Sequence, residues 1–161
     1  MALATMGTLA GCGFRLRSSQ EFNFTTIALT GAAGSAVAAD LIRYLGARVV
    51  PMNSAPGAVD PQVILDILRE QREKTVVAVN ASGQVREMQL RLRLRMQVRS
   101  SDGRELIAAT DMVQQRDISF NETAALAKEA EEILLYRDMQ TDIVQQILRR
   151  LAAIKQIEPA A

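Results

Sequence analysis

The chain has no histidine and only one cysteine in 161 residues. These absences exclude an intrachain disulfide, a Cys/His zinc centre and every catalytic triad with imidazole as its base. Charge of one sign is lacking too: 19 basic against 18 acidic side chains leave a net +1, which supplies no global attraction for nucleic acid. No stretch after the first dozen residues approaches the roughly 18 to 20 consecutive apolar positions that a membrane-spanning helix needs. With 48% apolar and 23% charged residues, the remainder is an ordinary globular composition. A chain of this size can bury a conventional core as one domain without cross-links. The lone Cys12 has three open roles: core packing, an unassisted thiol, or covalent modification.

Its position bears on the choice. The segment "MALATMGTLAG" is small or apolar throughout, and Cys12 is followed at once by the polar "GFRLRSSQEFNF". A secretory signal combines a basic start, an apolar centre of about 7 to 15 residues and small residues at the cut. The last two are present, and Leu9, Ala10, Gly11 and Cys12 match the pattern that signal peptidase II cuts in bacterial lipoproteins. The competing reading is a cysteine buried in an N-terminal strand. The lipoprotein reading divides the chain into a signal-peptide remnant (1–11), a lipidated leader (12–23) and one folded domain (24–158). No Lys or Arg precedes Arg15, so this reading places the basic start of the signal upstream of Met1. Several acyl chains on Cys12 would give a stable membrane tether. Gly13, rather than an aspartate, in second position points to the outer membrane.

Beyond the leader, "FTTIALTG" reads as a strand over 24–30. Ser35 is placed to cap a helix carrying Val37, Leu41, Tyr44 and Leu45 and closed by Gly46. "ARVVPM" is a short strand candidate and "NSAPGAVDP" a loop. The stretch 62–72 is ambiguous: Asp60 and Pro61 resemble a helix start, whereas Val63, Leu65 and Ile67 alternate as in a strand. "TVVAV" after Lys74 is a strand, and "REMQLRLRLRMQVR" alternates without a fault. That alternation puts Met88, Leu90, Leu92, Leu94, Met96 and Val98 on one face and Gln89, Arg91, Arg93, Arg95, Gln97 and Arg99 on the other. With "RELIAATDMVQQRDISF", the region 75–120 forms an antiparallel meander. Its apolar face needs a cover, supplied by a C-terminal helix whose stripe is Ile133, Ile143, Ile147, Leu151 and Ile154, with Val144 and Leu148 beside it. Asn121 would cap a short helical segment before it, through "ETAALAKEA". An unbroken helix to Lys155 would reach about 50 Å at 1.5 Å per residue, which argues for a bend. The predicted class is α+β: a two-layer sandwich with two main helices on one face of a mixed or antiparallel sheet.

The row Arg91, Arg93, Arg95 has two readings. Same-face residues lie about 7 Å apart, so three guanidinium groups would form a ladder suited to phosphate or carboxylate ligands. Alternatively it is a solvated face whose charges pair with Glu70, Glu73 or Glu105. A sheet that reads RNA stacks bases on exposed aromatics, and this strand has none, so no nucleic-acid partner is expected. "GAAGSA" at 31–36 could cradle an anion at a helix start but lacks the Walker lysine and the full dinucleotide glycine pattern. Glu131 and Glu132 are adjacent on a helix and point in different directions, so they form no acid/base pair. The seven methionines read as core filler. No nucleophile with a base beside it can be named, and neither enzymatic activity, nor a cofactor, nor a metal is expected.

Taken in order, "CGFRLR", "FNFTTIALTG", "RLRLRMQVRSSDG", "QQRDISFNE" and "EAEEILLYRDMQTDIVQQILRRL" resemble the lipopolysaccharide-assembly lipoprotein family over nearly the whole chain. Arg15 stands where the family commonly has histidine. The resemblance implies strand at 62–72, and therefore four strands. It also implies an outer-membrane lipoprotein seated as a plug in a large β-barrel partner, helping that barrel fold and assisting lipopolysaccharide passage. Such a plug should be polar on all sides. A different lipoprotein with the same sandwich, a chaperone or barrel-assembly accessory, is the alternative.

Expressed with its full upstream region, the mature protein should begin at an acylated Cys12 by mass spectrometry. An unmodified Cys12 behind an intact Met1 would defeat the attachment reading.

Overall fold

The computed structural model describes residues 20–31, 33–52 and 57–155. Leu9, Ala10, Gly11, Cys12 and Arg15 lie outside the described residues, as do 53–56 of the expected loop and the tail from 156. The elements are β1 (Ile27–Thr30), α1 (Ala36–Leu45), β2 (Val63–Val79), β3 (Val85–Ser100), β4 (Glu105–Ser119) and α2 (Ala125–Ala152), with 3-10 turns at Gly46–Arg48 and Glu122–Ala124. The sheet order is β1-β2-β3-β4; β1 runs parallel to β2 and the other neighbours are antiparallel. Both helices pack on one face of this four-stranded mixed sheet, an α+β sandwich.

Strand β3 organises the core. Leu90, Leu92, Leu94, Met96 and Val98 are fully buried, and Met88 is partly buried against the same cluster. A leucine taken fully out of water contributes about 1.5–3 kcal/mol, so this one face anchors the sheet to its cover. The cover is α2, which buries Tyr136, Met139, Ile143, Val144, Ile147, Leu148 and Leu151. Ile133 is not on that stripe: it is 60% exposed. Ten residues separate it from Ile143, which at 100° per residue leaves it about 80° around the helix; Met139 and Tyr136 take the place assigned to it. The helix is continuous for 28 residues, about 42 Å; it takes in 125–130, expected from the sequence to stand apart as a short segment, and only Glu122–Ala124 is separate, as a 3-10 turn. There Asn121 Oδ1 accepts a hydrogen bond from the Thr123 amide at 3.1 Å.

Helix α1 is capped as its sequence suggests. Ser35 Oγ accepts from the Ala38 amide at 2.9 Å, and Gly46 ends the helix at φ +55°. The segment 47–52 forms no strand: Val49 makes a single bridge to Ile27 after the 3-10 turn. Sheet pairing in the first segment starts at Ile27 rather than Phe24. Residues 25 and 26 are held instead by the approach to β2, through Gln62 Oε1 on the Thr25 amide (2.8 Å) and Thr26 Oγ1 on the Asp60 carbonyl (3.1 Å).

The ambiguous segment 62–72 is the start of β2, which continues unbroken to Val79. Ile67 pairs with Met96 and Arg69 with Arg95, so Leu68 is an extra residue, a β-bulge. The bulge reverses the alternation: Val63, Leu65 and Ile67 face the helices, and so do Glu70, Arg72 and Lys74, opposite Leu94, Leu92 and Leu90. Gly31 fits against it with φ +64°; a Cβ there would fall 2.0 Å from the Ile67 carbonyl oxygen, which only glycine avoids.

Replacing Leu92 with glutamate should abolish cooperative folding at a cost on the order of 4 kcal/mol, because it puts a charge in the fully buried aliphatic strip, where even Arg72 opposite does not offset its desolvation. Arg93→Glu, on the opposite face, should leave a cooperative thermal melt.

Candidate functional site

The face of the sheet turned away from the helices carries the residues that chemistry could use. Its cross-strand rows follow from the register: Glu73, Arg91 and Gln115; Gln71, Arg93 and Val113; Arg69, Arg95 and Asp111. The structure brings Arg91, Arg93 and Arg95 together on this face, and each meets a carboxylate. Glu73 receives two of them, Arg93 Nε at 3.0 Å and Arg91 Nη1 at 3.6 Å. Arg91 also donates to Gln89 Oε1 at 2.7 Å. Arg95 Nη1 lies 3.3 Å from Asp111 Oδ2, both groups well exposed. Among the three carboxylates expected as partners, Glu73 alone serves. The bulge sends Glu70 to the other face, and Glu105 lies opposite Arg99, beyond the row.

Glu70 has a different task. It accepts a hydrogen bond from Ser35 Oγ and a weaker one, at 3.4 Å, from the Val37 amide. A carboxylate from β2 thus occupies the positive end of α1, so the helix start at Ser35 is capped rather than an open anion cradle.

Two features escape a reading of the sequence. One is a polar network at the upper end of the outer face, where Asp66, 8% exposed, is bound by residues from two neighbouring strands. Thr30 Oγ1 donates to it, as do Gln97 Nε2 (2.9 Å) and Arg99 Nε (2.9 Å). The other is a set of polar ties between sheet and α2. Lys74 Nζ reaches Glu132 at 2.5 Å and Arg116 Nη2 reaches Asp142 at 2.8 Å. The Arg72 guanidinium sits 5.1 Å from the Tyr136 ring centre, and the Tyr136 hydroxyl donates to the Glu73 carbonyl at 2.8 Å. Gln140, nearly buried, joins the helices by donating to the Ala36 carbonyl and to Asp40.

The surface is not polar on all sides. Val76, Val77 and Val79 near the β2–β3 turn, and Leu126, Ile133 and Leu134 in the first turns of α2, are all at least 48% exposed. In the first half of α2 Tyr136 is buried and Leu135 packs against the core, whereas Leu126, Ile133 and Leu134 lie on the sides of the helix that the sheet does not cover. Among the described residues no helix is long and apolar enough to cross a membrane, and no group of three or more His, Cys, Asp or Glu side chains could hold a metal ion.

Burial alone raises the Asp66 carboxyl's affinity for a proton, but hydrogen bonds from Arg99, Thr30 and Gln97 outweigh it and hold the pKa below the usual aspartate value. A folded-state value below the unfolded one, near 3.9, means the network's stabilisation is complete above that pH and drains away as pH falls through the folded value. Asp66→Asn should therefore lower the melting temperature at pH 7 and flatten the acid side of the stability curve below about pH 4. Thermal melts from pH 7 down to pH 2 would measure both.

Comparison with known proteins adds to this geometry. No curated protein sequence matches the chain. In solved structures it is similar to uncharacterized lipoprotein B of Nitrosomonas europaea, with 34% identity and TM-score 0.71 over 88% of this chain and 91% of that one. It shares its fold with rare lipoprotein B of Shewanella oneidensis (21% identity, TM-score 0.62, over 80% and 94% of the two chains). The same holds for a minor lipoprotein of Acinetobacter baumannii (19%, 0.61, over 83% and 94%). The profile of the LptE family, described as lipopolysaccharide-assembly, matches residues 20–151, and with the sandwich and its outer arginine face in place, the chain belongs to that family of lipopolysaccharide-assembly lipoproteins.

Proposed function

We propose that the protein is an outer-membrane lipoprotein, tethered through acyl chains on Cys12, that seats as a plug in the lumen of a large β-barrel partner and assists lipopolysaccharide assembly at the cell surface. Membership of the lipopolysaccharide-assembly family over residues 20–151 is the observation that carries this reading. Its work is binding and folding assistance rather than catalysis. A polar outer sheet face backed by a closed apolar interior suits a body surrounded by the wet lumen of a barrel. On that face Arg91, Arg93 and Arg95 are the proposed contacts for the phosphates of lipopolysaccharide, with Glu73 and Asp111 orienting the guanidinium groups until a ligand displaces them.

The uncovered valines of the hairpin end, with Leu126, Ile133 and Leu134, favour a second reading. Exposed apolar surface of this kind suits transient contact with an unfolded barrel, the work of a chaperone or assembly accessory.

The plug contacts belong to the folded body, and the tether only raises local concentration. A soluble Cys12→Ser protein carrying a cleavable signal should therefore still co-purify with a large outer-membrane β-barrel in a stable complex. If it returns alone while the lipidated form brings the barrel down, the plug reading fails; capture of unfolded barrel only would support the chaperone.

A further inference from the structure

Arg69 is the Cα partner of Arg95 across β2 and β3 and lies on the same outer face. Directly opposed side chains in such a pair have Cβ atoms about 5 Å apart, and like charges there are destabilising. Arg95 has Asp111 on its other side, but the Arg69 guanidinium meets no carboxylate among the described residues and is exposed. The neighbouring charges do not repair this. Across the three rows stand four guanidinium groups (Arg69, Arg91, Arg93, Arg95) against two carboxylates (Glu73, Asp111), an excess of two positive charges. Glu73 is already shared by Arg91 and Arg93, and Arg91 is further held by Gln89. The excess is therefore concentrated at Arg69, Arg95 and the adjacent Arg93.

We infer that Arg69 and Arg95, with Arg93 beside them, form an anion subsite that takes a phosphomonoester, at the end of the arginine row away from Arg91. A phosphomonoester carries about −1.5 to −2 charges at pH 7, which matches the local excess. Its oxygens can take forked hydrogen bonds from guanidinium groups carried at directly paired positions of two neighbouring strands, Arg69 and, once Asp111 is displaced, Arg95, a role in which lysine would be a poor substitute. The bulge at Leu68 creates the site: without it Arg69 would share the face of Ile67 and point towards the helices. The inference rests on the proposed lipopolysaccharide contact only for the identity of the ligand; the phosphate chemistry stands on the arginine geometry.

The test is a thermal melt of the full-length protein in detergent at constant ionic strength, against three probes: inorganic phosphate, micelles of a phosphorylated lipid A, and micelles of the same lipid after enzymatic dephosphorylation. A ligand that binds only the folded state raises the melting temperature with concentration. The wild type should respond to a phosphorylated probe and not to the dephosphorylated lipid. Arg69→Gln should melt, without ligand, at or above the wild-type temperature because the opposed charges are gone, and should bind the phosphorylated probe at least tenfold more weakly. Arg137→Gln, at an exposed position of α2, should respond as wild type. A response to inorganic phosphate as well as lipid would assign the site to phosphate itself; a response to phosphorylated micelles alone would assign it to a lipid headgroup; either supports the subsite. An undiminished response in Arg69→Gln, an equal loss in Arg137→Gln, or no wild-type response to either phosphorylated probe would overturn it. Continued co-purification of the barrel with Arg69→Gln would then leave the plug reading standing and remove the subsite alone.

Discussion

Between Ile67 and Arg69 strand β2 carries one residue more than β3 can pair, and most of the chemistry of the molecule depends on where that residue falls. A strand's side chains alternate with a period of two, so one inserted residue exchanges the two faces for everything after it. Before Leu68, β2 sends Val63, Leu65 and Ile67 into the core and Asp66 outward. After it, Glu70, Arg72 and Lys74 turn to the helices while Arg69 and Glu73 turn out beside the arginines of β3. Gly31 makes the bulge possible by leaving space against the Ile67 carbonyl, so a single glycine in a loop supports the register of a strand distant in sequence.

The two faces consequently do different work. On the inner face a strip of aliphatic side chains from β3 supplies most of the cohesion. The charged residues of β2 and β4 flank it, reaching α2 through Lys74, Arg72 and Arg116. Exposed ion pairs of this sort contribute little stability individually; their value is in fixing the angle and register of a 28-residue helix on the sheet. Among the described residues no layer on the outer face competes for Arg91, Arg93 and Arg95. They are paired sideways, along and across strands, in arrangements that an incoming anion can exchange without disturbing the core.

Several elements were legible because their signals are local. The faultless alternation of 86–99 defined a half-buried strand, and the Ser35 and Gly46 caps bounded α1 at the residues where it begins and ends. Gly83 and Gly103 close the two hairpins at φ +79° and +90°, backbone angles that glycine adopts without strain. Other elements depended on contacts that no local pattern records. The segment 47–52 has the β-branched residues of a strand but no neighbour to pair with beyond one bridge at Val49. Ile133 belongs to an apolar pattern counted by residue type, whereas its burial depends on helical phase, which turns it away from the sheet that Glu132 and Lys128 beside it still reach.

The primary structure by itself determined the class of the molecule, its α+β layering, the apolar and basic faces of β3 and the exclusion of imidazole chemistry, because each of these follows from composition or from periodicity within one segment. The tertiary structure decided which charges meet. Glu73 rather than Glu70 joins the arginine row, Asp66 gathers donors from neighbouring strands, and Arg69 arrives opposite Arg95. Those outcomes are set by cross-strand register, and register depends on a bulge whose position is fixed by the fit of Gly31 against Ile67, an interaction between residues 36 positions apart that neither segment encodes alone.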